Sequence, residues 1–437
     1  MKRSLSIVLA LVLAISLFMV GCQKEEPGKE AKEAAEPEKK AEKVTVDIFQ
    51  FKVEFKDQFT ALAEEYMESH PNVQLNIKTV GGGDDYGAAL RARFASGEEP
   101  AIFNIGGPQD VADWMKYLAP LNGLNVTEQA FDGVLGGVTV DGDVYGLPYN
   151  QEGYGLIYNK AMFEKAGIDP MSITSFDDLQ AAVEKLDSMK DQLGLEAVFA
   201  FPAKETWVTG LHLSNAVLSQ EFDNVNEAFN ADTVEFQHSE GFKKLVDLQN
   251  DYSVQPTLSL DYSQQVEQLF SNEKVALIQQ GNWAYGSIAG VNEELAGNIG
   301  LIPLSVDGGV GDSIPVGVPM YWGVNKEMDE SVVEASKNFL NWMYTSDVGK
   351  RYVLEEFKFI PAYKGFDSSK IDDPLARDIL AYSDRGKTLP WVFMGYPTGW
   401  GMNVLGVDIQ KYVADKMSWD ELIVHSTEEW EKSRTEE

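Results

Sequence analysis

The feature that most constrains the fold is an alternation of strand and helix patterns that begins at Val44. Strand patterns cover residues 44–49, 73–77 and 101–105, and each is a short run rich in apolar residues. Between them lie two stretches with helical spacing, one over residues 55–69 and one that ends at Phe94. This β-α-β-α-β order predicts an α/β fold with a mostly parallel, twisted sheet and right-handed crossovers.

Length and charge set the broad class. The chain has 437 residues, which exceeds what one hydrophobic core usually supports, so we expect two domains. Its formal net charge is −33 at pH 7. Nucleic-acid partners are therefore not expected, because phosphate backbones attract surfaces rich in Lys and Arg.

The amino terminus reads as a processing signal over residues 1–22. Lys2 and Arg3 precede an apolar stretch over residues 5–20, and Gly21-Cys22 follows. Cys22 is the only cysteine, so no intrachain disulfide is possible. A lone Cys after a small residue at this place resembles a bacterial lipobox, in which the thiol is lipidated and becomes the new amino terminus. A plain secretory signal with a free thiol is the alternative.

The segment 23–43 is predicted to be a disordered, charged tether. It consists mainly of Glu, Lys, Ala and Pro and contains no aromatic residue. Such a composition cannot bury enough apolar surface to order itself. A tether directly after an anchoring Cys would let a folded body reach a membrane partner while it stays attached.

The most informative stretch covers residues 271–288. An apolar run over residues 275–278 predicts a short buried strand, and Asn282 and Trp283 follow its end, where a helix pattern begins. Ligands of open α/β sheets bind beyond the carboxyl ends of strands. A Trp there offers a flat apolar plate beside polar donors, which suits one face of a sugar ring. The alternative is that Trp283 only fills the gap between strand and helix.

This stretch, SNEKVALIQQGNWAYGSI, resembles the segment that carries a sugar-stacking Trp in the family 1 extracellular solute-binding proteins of ABC importers, the maltose-binding-protein-like group. The run VYGLPY and the following LIYNK…FEKAGI resemble the family's first crossing between lobes. Residues 299–303 resemble the second crossing, and residues 357–361 the third.

The resemblance implies a periplasmic-binding-protein-like fold of type II, with two discontinuous lobes, a hinge and a cleft between the lobes. The amino lobe would comprise residues 44–150 and 302–358. The carboxyl lobe would comprise residues 153–300 and 361–437.

Polar candidates for ligand binding follow the predicted strands of the amino lobe. By resemblance they match the loops that hold sugar hydroxyls in the family, and Glu152 matches a hydroxyl-holding Glu in the first crossing of a related maltose binder. Carboxylates suit this role because charge-assisted hydrogen bonds are short and directional. Each one taken separately could instead be a helix cap or a solvated charge. These candidates are Lys52, Glu54, Asp84, Gln109, Asp110 and Glu152.

Aromatic candidates come from the predicted carboxyl lobe. Trp283, with Asn282 beside it, is the foremost of them. Trp391 and Trp400 lie in a loop rich in Pro and Gly over residues 390–401, and the family resemblance also places a stacking Trp near Trp400. Trp207 is a further candidate. The Trp residues at helical spacing are interpreted as packing residues, and these are Trp114, Trp342, Trp419 and Trp430.

Signatures of catalysis are absent from the sequence. There is no HExxH, no GxSxG and no GxxxxGK[ST], and the four His residues are scattered. Neither a metal nor an organic cofactor is predicted. A glycosidase needs only two carboxylates, which the sixty-nine acidic residues could supply, so that alternative stays open.

The sequence therefore predicts a non-enzymatic, lipid-anchored receptor outside the cytoplasm. It would be a monomer that captures a neutral carbohydrate, foremost an oligosaccharide, by hinge closure and presents it to an ABC permease in the membrane. The alternatives are a surface-anchored glycoside hydrolase and a binding protein for a peptide, a polyamine or an iron chelate.

Overall fold

The computed structural model describes residues 43–80 and 85–436, and from Lys43 onward the chain forms one compact unit. Cys22, the predicted signal peptide, the predicted tether up to residue 42 and Asp84 lie outside the described residues. Within the described part of the chain, every helix is too short or too polar to span a bilayer.

Twelve short strands are found in the described residues. They are β1 (Val44–Gln50), β2 (Val73–Thr79), β3 (Ile102–Ile105), β4 (Thr139–Val140), β5 (Asp143–Val144), β6 (Leu147–Pro148), β7 (Glu152–Asn159), β8 (Leu277–Gly281), β9 (Ile299–Ile302), β10 (Ile314–Gly317), β11 (Tyr321–Val324) and β12 (Thr388–Leu389).

Seventeen α-helices are found in the same residues. They are α1 (Lys56–Ser69), α2 (Tyr86–Ser96), α3 (Pro108–Trp114), α4 (Asn125–Gln129), α5 (Lys160–Ala166), α6 (Phe176–Ser188), α7 (Lys190–Leu193), α8 (Ser214–Leu218), α9 (Val225–Asn230), α10 (Ser239–Asp251), α11 (Tyr285–Val291), α12 (Glu293–Ala296), α13 (Glu330–Thr345), α14 (Asp347–Arg351), α15 (Pro374–Asp384), α16 (Gly406–Val413) and α17 (Trp419–Glu436). Wider π-helical turns occur at Val208–Leu213, Gln264–Phe270, Tyr352–Glu356 and Trp400–Leu405.

The first sheet confirms the parallel arrangement predicted from the alternation. Its strand order is β2-β1-β3-β11-β6. β1 pairs in parallel with β2 and with β3, so that Val44 lies opposite Val73 and Ile48 opposite Ile102. β11 runs antiparallel between β3 and β6. The carboxyl ends of β1, β2 and β3 therefore meet at one edge, which brings the loops that follow them together.

The second sheet is mostly antiparallel and is built around β7. Its order is β12-β10-β7-β8, and β9 also pairs with β7. β8 begins at Leu277, two residues later than the predicted strand, because the amides of Ala276 and Leu277 both bond to the carbonyl of Val198. Next to β8, Phe199 forms only isolated parallel bridges, to Ser253 and to Leu277.

The chain passes between the two sheets at three places, and one of them differs from the prediction. The first passage lies between β6 and β7, and the third passes Ile360, which bridges to Gln151. The second lies between β10 and β11, at residues 318–320, and not at residues 299–303, because β9 and β10 both pair with β7. β10 and β11 are thus neighbours in the sequence but lie in different sheets, and β10 belongs to the second sheet although residues 302–358 were predicted for the amino lobe.

Each sheet has its own apolar core. Large side chains from α1 and α13 cover the first sheet, and the second packs against helices from the middle and the end of the chain. Burial of each such side chain contributes about 1.5–3 kcal/mol. The principal core residues of the first sheet are Phe59, Leu62, Tyr66, Trp322, Phe339, Leu340 and Met343.

Two local sequence features determine where elements begin or turn. Ser175 caps α6, since its hydroxyl accepts a hydrogen bond from the Asp178 amide at 3.2 Å. The turn between β4 and β5 uses Asp141 and Gly142, whose φ angles of 52° and 89° are both left-handed, as a tight hairpin requires.

Candidate functional site

Five rings form an aromatic cluster on the second sheet. Tyr154 comes from β7, Trp283 from the turn after β8 and Trp391 from the loop after β12, while Trp207 directly precedes the π-helical turn Val208–Leu213 and His212 lies within it. Ring centroids of His212 lie 4.4 Å from Tyr154, 5.1 Å from Trp283, 5.2 Å from Trp207 and 5.8 Å from Trp391. Three of the four predicted tryptophans, Trp207, Trp283 and Trp391, therefore lie together.

Trp283 is held at the strand tip by a buried polar relay. Its indole N–H donates to Gln280 Oε1 at 2.8 Å, and Gln280 Nε2 in turn donates to Gln265 Oε1 at 2.7 Å. A Cβ at Gly281 would come within 2.3 Å of the Trp283 ring, so only glycine lets the ring lie against the strand. The side chain remains partly exposed, which leaves surface for a ligand.

Asn282 has a structural contact. Its side chain is buried, and its Oδ1 accepts a hydrogen bond from the Gly153 amide at 3.1 Å. This bond ties the end of β8 to the start of β7, next to the first passage between the sheets. The amide oxygen predicted for a ligand is thus engaged by the backbone.

Lys52, Glu54 and Glu152 form a charged group at the other side of this passage. Lys52 is buried and pairs with Glu152, and its Nζ lies 3.6 Å from Glu54 Oε1. Asn150 Nδ2 donates to Glu152 Oε1 at 3.2 Å. Burial acts to lower the pKa of Lys52, but the charges of Glu152 and Glu54 outweigh it and raise the pKa. The Glu54 side chain keeps 29% of its surface accessible, which makes it the one of the three that a ligand can reach most easily.

Tyr262 links the charged group to the aromatic cluster. Burial raises the pKa of the Tyr262 hydroxyl, and the charges of Glu54 and Glu152 act in the same direction, so these carboxylates lie within electrostatic range of the ring. Glu205 holds both Tyr262 and Trp207, since its Oε1 accepts from the Tyr262 amide at 3.2 Å and its Oε2 from the Trp207 indole at 2.9 Å. The site therefore has a charged wall, formed by Lys52 and Glu54 after β1 and by Glu152 at the start of β7, and an aromatic wall from the second sheet.

Sequence reasoning missed Tyr262, Glu205 and His212 as members of this site. Glu205 lies in an irregular segment and Tyr262 in the first turn of a helical segment, and only the fold brings them together. Tyr154 carried a signal that could have been used, because it lies two residues after Glu152 in the predicted crossing.

Gln109 and Asp110 lie at the contact between the two lobes. Gln109 Oε1 accepts from Arg434 Nη1 at 2.8 Å, and Met394 packs against Gly107 just before α3. Asp110 Oδ2 accepts from the Gly106 amide at 2.5 Å, and burial raises the pKa of Asp110 to about 6. The structure thus places these two candidates beneath side chains of the second lobe.

Trp400 is a correction to the predicted site. It is only 1% exposed, its indole N–H donates to the Ser426 carbonyl at 2.8 Å, and its ring packs edge-on against Trp430 at 4.8 Å. The neighbouring Gly401 approaches Gly210 so closely that a Cβ at Gly210 would overlap its carbonyl oxygen. This packing leaves Trp400 in the core, with no face for a ligand.

Two surface cavities lie elsewhere on the molecule. One of about 530 Å³ is lined by residues of α16 and α17, and one of about 440 Å³ by residues of α2 and α3 together with Thr398. Neither is lined by the aromatic cluster or the charged group. No cluster of three or more potential metal ligands occurs among the residues that the structure describes.

Comparison with known proteins decides the family. The family model for bacterial extracellular solute-binding proteins matches residues 52–350. The chain belongs to this family. Its members act outside the cytoplasm, and both the family and the matched relatives are binding proteins. One relative is an ABC transporter extracellular-binding protein of Pyrococcus horikoshii, 27% identical over 195 residues, which cover 42% of this chain and 43% of that protein.

Another relative of this chain is the xylose/arabinose-binding protein of Haloferax volcanii. It is 25% identical over 240 residues, which cover 52% of this chain and 50% of that protein. The chain thus matches about half the length of these relatives or less. Among solved structures, a chitin oligosaccharide binding protein has a TM-score of 0.75 at 23% identity, with 90% of this chain and all of that chain covered. A raffinose complex of the binding protein RafE has a TM-score of 0.73 at 16% identity, over 90% of this chain and all of that chain. These likenesses confirm the predicted α/β fold with two sheet-containing lobes.

Proposed function

We propose that this solute-binding protein captures a neutral carbohydrate, foremost an oligosaccharide, between its charged and aromatic walls and delivers it to an ABC permease. The observation that carries the proposal is that Trp207, Trp283 and Tyr262 lie together, and that the charges of Glu54 and Glu152 act on the pKa of Tyr262. Stacking rings match the C–H faces of sugars, and carboxylates match the hydroxyls at their rims. Similar folds include a chitin oligosaccharide binding protein, RafE with raffinose and a sugar transporter of Bacillus licheniformis with stachyose.

The proposal includes a lipid on Cys22, which would anchor a monomer to the cell membrane through the tether of residues 23–43. The support is the sequence pattern around Cys22. Mass spectrometry of the mature amino terminus tests the lipid, and an unmodified thiol would contradict it. Size-exclusion chromatography with light scattering tests the monomer.

The first experiment is a thermal-shift and calorimetric screen of the purified protein against raffinose, stachyose, chitotriose and xylotriose. A ligand that binds only the native state raises the melting temperature by mass action. We expect at least one sugar to raise it and to be recovered unchanged, which distinguishes capture from hydrolysis. A protein that responds to peptides, polyamines or iron chelates but to no sugar would contradict the carbohydrate proposal.

Substitution of Trp283 tests the site. Trp283→Ala removes the exposed stacking face. We expect affinity for the bound sugar to fall about 10-fold or more, since truncation of a central aromatic contact residue typically costs about 2 kcal/mol of binding free energy or more. Trp342→Ala is the matched control, because Trp342 is also partly exposed but packs on Tyr66 in the first lobe. Equal affinities of the two variants would place the ligand elsewhere.

A further inference from the structure

Trp391 differs from its neighbours in the aromatic cluster by its unpaired N–H. The indole nitrogens of Trp207 and Trp283 donate to Glu205 and Gln280, respectively. The Trp391 nitrogen is buried and has no hydrogen-bond partner among the described residues, and the side chain is only 6% exposed. A buried donor without an acceptor costs free energy, so a partner from outside the chain is expected to satisfy it.

His212 presents a second set of unpaired polar atoms beside Trp391. Its ring stacks on Tyr154 with an interplanar angle of 15° and also lies 5.3 Å from Phe393. The backbone carbonyl of His212 accepts from the Tyr154 hydroxyl at 2.9 Å, which fixes the residue. Neither ring nitrogen bonds to any described residue, and the side chain is partly exposed. An imidazole in apolar surroundings with both nitrogens unpaired can form hydrogen bonds to a ligand.

The imidazole is neutral under ordinary conditions. Burial among the surrounding rings lowers the pKa of His212 to about 3. A neutral imidazole has one N–H donor and one acceptor nitrogen. A hydroxyl group has the complementary pair, because it can accept from the Trp391 N–H and donate to the acceptor nitrogen of His212.

We propose that His212 and Trp391 form a hydroxyl-recognition pair within the aromatic wall, and that this pair determines which sugars fit. The pair forms hydrogen bonds to one hydroxyl of the sugar ring that stacks on the cluster, whereas the surrounding aromatic rings contact the apolar face of that sugar ring. The inference rests on the proposed carbohydrate function. Specificity arises because a sugar without a hydroxyl at that position leaves both polar groups unpaired, a penalty that apolar contacts alone do not impose.

The test uses His212→Phe and Trp391→Phe in the purified protein with whichever sugar among raffinose, stachyose, chitotriose and xylotriose binds the parent. His212→Phe keeps a ring on Tyr154 and removes both nitrogens. We expect each variant to bind the sugar about 10- to 100-fold more weakly, and the double variant to lose less than the product of the two single losses, because one hydroxyl serves both groups.

The matched control is His70→Phe, since His70 also stacks on a tyrosine, Tyr66, at 4.0 Å and 13°, but in the first lobe. Its sugar affinity should equal that of the parent. Should His212→Phe fail to fold, ¹⁵N NMR of the parent gives the answer, because a hydrogen bond from the sugar shifts the imidazole ¹⁵N resonances of His212. Parent-like affinity of His212→Phe, or unchanged resonances on sugar binding, would overturn the inference. A parent that binds no sugar would instead contradict the proposed function itself.

Discussion

At the scale of single residues, stability is expected to be most sensitive to substitution in the ion pair of Lys52 and Glu152. The two side chains keep only 2% and 5% of their surfaces accessible, and the pair joins β1 to the start of β7. A buried charge that loses its partner is strongly destabilising, because the remaining charge has been removed from water without compensation.

Lys52→Met should therefore lower the free energy of unfolding by about 3–5 kcal/mol, as measured by urea denaturation at pH 7. Lys204→Met is the matched control. The ion pair of Lys204 with Asp261 at 3.1 Å lies at the surface, so its loss should change stability by less than about 1 kcal/mol. Similar losses in the two variants would show that Glu152 finds another partner.

Residue positions that follow from local rules could be predicted, whereas those set by long-range packing could not. Trp283 was found because a strand tip and a helix start are both visible in sequence. Trp400 was misjudged because a Pro/Gly-rich stretch indicates a loop, and nothing local reveals that Trp430 packs on its ring and that Gly210 packs on the adjacent Gly401. His212 was missed because four of its five aromatic neighbours come from distant parts of the chain.

At the scale of secondary-structure elements, α15 has an unusual amino-terminal cap. The carboxylate of Asp373 is buried and accepts a hydrogen bond from the Leu375 amide at 2.8 Å. Burial raises the pKa of Asp373 to about 7, above the ordinary value of 3.8. In the unfolded chain the group ionises at about pH 4, so between about pH 4 and pH 7 the folded state binds the extra proton and stability falls as the pH rises.

Asp373→Asn keeps the cap and removes the charge. We expect the variant to be more stable than the parent at pH 8, on the order of 2–4 kcal/mol, and the difference to shrink as the pH falls toward 4. Asp372→Asn is the control, because Asp372 is exposed and pairs with Lys358 at 3.0 Å. Melting temperatures from pH 4 to pH 8 check this, and a difference independent of pH would contradict it.

Secondary-structure elements could be predicted where the spacing of apolar residues within one segment was enough to identify them. The strands and helices from Val44 to Ile105 follow the alternation, and α6 begins after Ser175 as its cap requires. The separation of β10 from β11 was not visible, because both read as one apolar run. Only pairing partners, Gly153 for β10 and Asn104 for β11, assign them to different sheets.

At the scale of the whole molecule, the two lobes touch where α3 meets the short 3₁₀-helix Val392–Gly395 and the residues after it. Thr398 Oγ1 donates to Asp113 Oδ2 at 3.0 Å, and Arg434 donates to Gln109 and to the Gly395 carbonyl. If the lobes close on a sugar, contacts of this kind stabilise the closed form, and their loss lowers the apparent affinity.

Gly107→Ala tests this contact. A Cβ at Gly107 would lie 2.8 Å from the Met394 Cβ, so we expect the lobes to separate, the radius of gyration in X-ray scattering to rise and sugar affinity to fall about 10-fold. Gly136→Ala is the matched control, since a Cβ there meets nothing within 4 Å. An unchanged radius and affinity for Gly107→Ala would show that the contact does not form in solution.

The position of β11 also bears on how the protein is made. β11 lies between β3 and β6, yet it follows β3 in the sequence by about 215 residues. At a synthesis rate of roughly 5–20 residues per second, the nascent chain waits roughly 10–40 s before the strand that completes the first sheet exists. Helix α13, which covers this sheet, is made later still. The topology thus postpones completion of the first lobe until most of the chain has been translated, and until then β3 and β6 lack the strand that joins them.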